Sequence, residues 1–81
     1  MTSQNPIQRV MNEKGISPSD LAILAGVQRS GISHLLKGYA AKLSGRVLDA
    51  LVEIGCDGEQ LVKEYAAWRE AKAEEVRKQF A

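Results

Sequence analysis

At 81 residues the chain is long enough for one domain, which would bury roughly 60% of the surface its unfolded form exposes, so a large enclosed active site is not expected. It is 44% hydrophobic and 5% aromatic, with a net charge of +1, and no apolar run nears the ~20 residues a membrane span requires; a soluble protein is expected. The opening MTSQNPIQRV has neither a basic start nor an apolar h-region, so no secretory signal is read and the cytoplasm is the default location. Cys56 is the single cysteine, which excludes an intrachain disulfide and leaves a buried apolar thiol as the expectation.

The charge becomes informative when it is divided along the chain. Residues 1–55 carry six Lys or Arg against four Asp or Glu, or +2, whereas residues 56–81 carry five against six, or −1. Between Asp20 and Asp49 there is no acidic residue, yet Arg29, Lys37, Lys42 and Arg46 lie there. A surface facing a polyanion has this distribution; so does an ordinary solvated surface, and charge alone does not separate the two.

Helix signals punctuate the chain. Asn5 before Pro6 is an N-cap followed by a first helical residue, Gln8 stands at the capping-box position, and Ile7, Val10 and Met11 recur at i, i+3, i+4 until Gly15. Ser17 and Pro18 repeat the start, with Asp20 in the first turn and Leu21, Leu24 and Ala25 as the expected buried face. Gly26 then stops this second helix in the left-handed conformation that glycine tolerates best.

A third helix is predicted from about Gln28 to Lys37, burying Ile32, Leu35 and Leu36 and closed by Gly38. The fourth starts at Ser44, buries Val47, Leu48, Leu51 and Ile54, and stops at Gly55. Asp57 caps a fifth, with Gln60 at the capping-box position and an alanine-rich, charged run behind it. No period-2 alternation marks a strand. The fold class expected is all-α.

Turned at about 100° per residue, the third helix sets Ser30, His34 and Lys37 opposite its apolar face, with Gly31 and Ser33 flanking them and Arg29 at the leading end. This outward face is short, polar and cationic, as entry into the major groove of DNA requires. Gly31 costs the helix about 1 kcal/mol relative to alanine. One explanation is that the missing side chain admits close approach to a phosphate or a thymine methyl; the other is relief of crowding against another helix. One His and one Cys, 22 positions apart, give no metal-ligand spacing. No nucleophile, base and orienting group can be assembled, so neither a metal, a cofactor nor catalysis is expected.

The span Ile16 to Leu61 resembles the helix-turn-helix domain shared by the lambda repressor and Cro, the phage-repressor and xenobiotic-response-element-type regulators. The likeness rests on ISPSDLAILAGVQRSGISHLLKG and continues through LSGRVLDALVEIGCDGEQLV. It implies a compact five-helix lambda-repressor-like domain whose third helix is the recognition helix. By position it places Arg29, Ser30 and His34 at bases, with Gly31 and Ser33 between them, and Lys37, Tyr39 and Lys42 at phosphates, while Gln28 at the helix start either caps it or meets a phosphate. Pro18 matches a position often held by a phosphate-binding side chain, which proline cannot imitate with its nitrogen. The loop GYAAKLSG is poorer in basic residues than is usual in the family.

The last helix also runs past the family's usual end, through EYAAWREAKAEEVRKQFA. Leu61, Tyr65 and Trp68 have core-sealing spacing, but Lys72 and Glu75 interrupt any coiled-coil seam. The narrow stripe Ala66, Ala73, Val76 and Phe80 has two readings, a surface for a partner and a solvated helix with a fraying end; on the first, Val76 and Phe80 are the expected dimer or partner surface. The division expected is a helix-turn-helix domain at 1–68 and a helical extension at 69–81. Function is read as a sequence-specific DNA-binding regulator, a small phage- or plasmid-type repressor that binds a near-palindromic operator in double-stranded DNA as a homodimer. The alternatives are a protein-interaction adaptor and an architectural or replication accessory protein on the same helical fold.

Overall fold

Local signals decide where the helices begin and end. The computed structural model describes residues 4–80 and contains α1 (Pro6–Lys14), α2 (Pro18–Ala25), α3 (Arg29–Lys37), α4 (Gly45–Glu53) and α5 (Gly58–Phe80), with no strand among the described residues. The Asn5 side chain accepts the Ile7 N–H, the Ser17 hydroxyl accepts the Asp20 N–H and the Asp57 carboxylate accepts the Gln60 N–H, so three starts are capped as their residue types dictate. Ser44 and Gln28 begin α4 and α3 without a side-chain cap bond. Neither glutamine completes a capping box: the Gln8 amide donates to Asn12 and the Gln60 amide to Glu64, each four residues along the helix.

The first four helices end alike. At the close of α2, Gly26 takes φ 68°, the Val27 N–H donates to the Ala22 carbonyl at 3.0 Å and the Gly26 N–H to Ile23 at 3.2 Å, a Schellman turn. Gly15, Gly38 and Gly55 close α1, α3 and α4 with the same bond pair at positive φ.

The core draws on every helix. Ile7, Val10 and Met11 of α1, Leu21 and Ala22 of α2, Ile32 and Leu35 of α3, Val47, Ala50 and Leu51 of α4, and Leu61, Tyr65 and Trp68 of α5 are buried together. Full burial of each large aliphatic member stabilises the fold by about 1.5 to 3 kcal/mol. Two expectations are corrected. Leu24 is exposed and Ala22 takes its place in the core, because α2 turns its Leu21 edge inward and leaves Ile23 79% exposed. Leu36, Leu48 and Ile54 lie half-buried at the rim, as does Cys56, whose thiol is pushed up in pKa by that burial, with Lys14 opposing.

Helix α2 packs on α3 and α4, while α1 spans α3 and α5. Arg9 of α1 is ion-paired to Glu64 of α5; bonds from Gln60 and Arg9 hold that carboxyl below the usual carboxylate range. Helix α5 has 23 residues, about 34 Å at 1.5 Å per residue, and accounts for the long axis of a molecule measuring 41 × 23 × 20 Å. Its last buried residue is Trp68, yet the helix continues unbroken to Phe80. No helix of the described residues is long and apolar enough to cross a membrane.

Candidate nucleic-acid interface

Helix α3 buries Ile32 and Leu35 and exposes Arg29, Ser30, His34 and Lys37. The stripe spacing sets Ser30, His34 and Lys37 opposite the buried pair, while Arg29, about 60° from Ile32 around the axis, is exposed at the leading end of the helix. Gly31 and Ser33 are half-buried on its two flanks. Gly31 looks into a shallow hollow shared with Val27, His34, Lys42 and Ser44. Ser33 looks into another, beside Pro18 at the start of α2 and Arg29 and Ser30 at the start of α3. A Cβ added at Gly31 would meet no atom within 4 Å, so crowding inside the domain does not explain this glycine.

Beyond α3, Tyr39 stands 69% exposed over the helix end. Its ring lies 5.9 Å from that of His34, tilted by 49°, and 6.0 Å from the Lys37 ammonium. Lys42 is exposed on the loop that follows, and Gln28, with no side-chain cap bond, leaves its amide at the front of the helix. Among the described residues the ion pairs lie on α1 and α5, at Arg9 and Arg77, and none involves Arg29, Lys37 or Lys42. These cations are therefore not neutralised by a neighbouring carboxylate. Arg46 is committed differently, its guanidinium donating to the Gly26 carbonyl at 3.3 Å and tying α4 to the turn before α3.

The C-terminal end of α3 is held from outside. The Asn5 amide nitrogen donates to the carbonyl of Leu35 at 2.9 Å, which also accepts the Gly38 N–H of the closing turn, and to that of Leu36 at 3.1 Å, in the last turn where a helix runs out of its own donors. Asn5 is only 7% exposed. One side chain thus caps the start of α1 with its oxygen and the end of α3 with its nitrogen. Arg69 of α5 donates to the Gly38 carbonyl at 3.1 Å, and the Tyr65 hydroxyl donates to Ala40 at 2.8 Å, fixing the next loop. Burial pushes the Tyr65 hydroxyl up in pKa, Arg69 acting against it, so the phenol remains a donor.

Gly38 is doubly constrained: its φ is +83°, and a Cβ there would sit 2.8 and 2.9 Å from two atoms of the Trp68 ring. The sequence identifies Asn5 as a cap but not as a clamp, and it assigns no role to Arg69. The signal that could have found Asn5 is its type, since Asn alone among the common cap residues carries both an acceptor and a donor amide.

Helix α3 and the loop behind it hold exposed cations, hydroxyls, one imidazole and one phenol. Among the described residues, no three His, Cys, Asp or Glu side chains come together as a metal site. The arrangement suits contact with a polyanion.

A family model for the Cro/C1-type HTH DNA-binding domain matches residues 6–63, from the first residue of α1 into the second turn of α5. No curated protein and no solved structure matches the chain. The matched span takes in the capped α2, the Gly26 turn and α3 with its exposed cationic face, and it covers well over half the sequence. On that evidence the chain belongs to the Cro/C1-type helix-turn-helix DNA-binding domain family.

Proposed function

We propose that this DNA-binding regulator is a sequence-specific transcriptional repressor that acts as a homodimer on a near-palindromic operator of phage or plasmid type. The observation that carries the reading is the outward face of α3, where Arg29, Ser30, His34 and Lys37 are exposed and the cations have no acidic partner among the described residues. Helix α3 enters the major groove. Arg29 reads a guanine through O6 and N7, and Ser30 and His34 meet base edges one turn apart. Gly31 and Ser33 let the flanks of the helix approach the groove walls. Gln28, Lys37, Tyr39 and Lys42 grip phosphates on either side. The protein acts by binding and not by catalysis, in the cytoplasm on the nucleoid, and a dimer seated on two successive grooves excludes polymerase from the same DNA.

The dimer contact is assigned to the extension at 69–81, beyond the DNA-binding domain at 1–68. Val76 is 48% exposed and Phe80 82% exposed on the same side of α5, and burial of two such groups favours a second copy. A chain stopped after Trp68 should keep a cooperative thermal transition and lose self-association in sedimentation. Loss of folding, or undiminished dimerisation, would contradict this assignment. The exposed Phe80 also favours a second reading, an adaptor that docks a different protein on the same stripe.

In-vitro selection from random duplexes tests the function. The repressor reading expects an inverted repeat whose half-site centres lie about 34 Å apart along the DNA, with a cost of about 1 to 3 kcal/mol for each important base pair changed. Recovery of no consensus would favour an architectural protein, and no retained DNA at all would favour the adaptor.

A further inference from the structure

Helix α5 returns to the end of α3 after leaving the core. Lys37, Gly38, Tyr39, Arg69, Lys72 and Val76 line a groove between the two helices, and no carboxylate borders it. The Lys72 stem lies along Gly38, its Cδ 3.3 Å from where a Cβ on that glycine would stand, and its ammonium is 5.6 Å from the centre of the Trp68 ring. Arg77 also reaches the groove, but Glu70 and Glu74 both pair with it, so it contributes little net charge.

The end of an α-helix ordinarily repels an anion, because its last carbonyls form the negative pole of the helix dipole. Here that pole is covered. Asn5 engages the Leu35 and Leu36 carbonyls and Arg69 engages that of Gly38, while Lys37 and Lys72 stand on either side. The groove is open and cationic; Gly38 lies in its lining with Ala73 and Val76, which border it from the stripe assigned to the dimer contact. It is also continuous with the face of α3 through Lys37 and Tyr39.

We propose that the part of α5 beyond Trp68 is itself a DNA-backbone contact, in which Lys72 joins Lys37 to bind a phosphate of the operator at the C-terminal end of α3. The proposal rests on α3 being the helix that enters the groove. Charge complementarity and continuity with that face select the DNA backbone as occupant. Lys72 adds affinity without sequence preference, since a phosphate contact carries no base information. The long last helix then supplements a loop, GYAAKLSG, that has only one lysine.

The test is the salt dependence of binding by the full chain to a selected duplex and to a scrambled one. Removing one phosphate interaction lowers the slope of log K against log salt by about 0.9, so such a variant loses about 3.5-fold less affinity than wild type between 50 and 200 mM salt. Lys72→Gln should show this reduction on both duplexes, as Lys37→Gln should, and Lys72→Arg should restore the wild-type slope. Lys78→Gln, on a different side of α5, should leave the slope unchanged. Ala73→Lys adds a cation to the same groove and should steepen the slope on a duplex carrying a single half-site, where the dimer contact that Ala73 borders does not enter, a gain that impaired folding cannot imitate.

A wild-type slope for Lys72→Gln and Ala73→Lys, with Lys37→Gln reduced, would overturn the α5 contact and leave the role of α3 intact. No change for any of these variants, together with undiminished binding by Arg29→Ala, would show that the role of α3 itself had failed.

Discussion

The two ends of α3 are built in opposite ways. At the N-terminal end Gln28 supplies no side-chain cap, and Arg29 and Ser30 stand exposed with no acidic partner among the described residues. At the C-terminal end Asn5 and Arg69 take up carbonyls of Leu35, Leu36 and Gly38, and the Trp68 ring occupies the space that a side chain at Gly38 would need. The difference separates two tasks. On the proposed function, the end that meets DNA keeps its hydrogen-bonding groups for that contact. An end meant to set the angle of the helix is fixed to elements about thirty residues away in each direction. Substitutions at the fixed end should therefore cost stability first, and those at the free end should cost DNA affinity without unfolding the chain.

The largest effect is expected at Gly38. Alanine there meets both the positive φ and the Trp68 ring, and a loss of roughly 2 to 5 kcal/mol follows from the left-handed backbone and the overpacking together. Thermal and urea unfolding would measure it. A Gly38→Ala protein of wild-type stability would show that α3 is not clamped by α5.

Asn5 comes next. Asn5→Ala strands the Leu36 carbonyl and the Ile7 N–H and takes one of two donors from the Leu35 carbonyl, which keeps the Gly38 N–H, an expected loss of about 2 to 3 kcal/mol. Asn5→Ser keeps a cap acceptor but cannot reach α3 with an amide, so it should recover only part of the loss in the same urea titration. Full recovery by serine would reduce the clamp to an ordinary N-cap.

The free end is sharpened by Gly31. With nothing within 4 Å of an added Cβ, Gly31→Ala should raise stability by about 0.5 to 1 kcal/mol through helix propensity. The same methyl stands at the flank of the proposed reading face and should weaken binding to a selected duplex. A stabilised variant with unchanged affinity would mean that the glycine serves neither folding nor DNA approach.

Much of this architecture is legible in the residues. Asn5-Pro6 and Ser17-Pro18 announce two helix starts, the glycines at 15, 26, 38 and 55 mark four ends, and Leu61, Tyr65 and Trp68 show where α5 leaves the core. The failures are physical. Residues 21–25, LAILA, are apolar throughout, so periodicity cannot say which edge faces inward, and it offers Leu24 for the place that Ala22 takes. Gln8 and Gln60 have capping-box spacing, but each also has an acceptor four residues ahead, which is the partner adopted. The exposed face of α3 follows from its stripe, whereas the Asn5 and Arg69 bonds join residues about thirty positions apart, beyond the reach of any local pattern.

The central claim is that the exposed face of α3 reads bases while the loop behind it holds the backbone. Equilibrium binding of Arg29→Ala, His34→Ala and Lys42→Ala to a selected operator and to a scrambled duplex, at one salt concentration, tests it most directly. Arg29→Ala and His34→Ala should each lose about 1 to 3 kcal/mol on the operator and far less on scrambled DNA, with thermal stability unchanged. Lys42→Ala should weaken both duplexes to a similar, smaller extent. Equal losses on the two duplexes for all three variants would contradict the account.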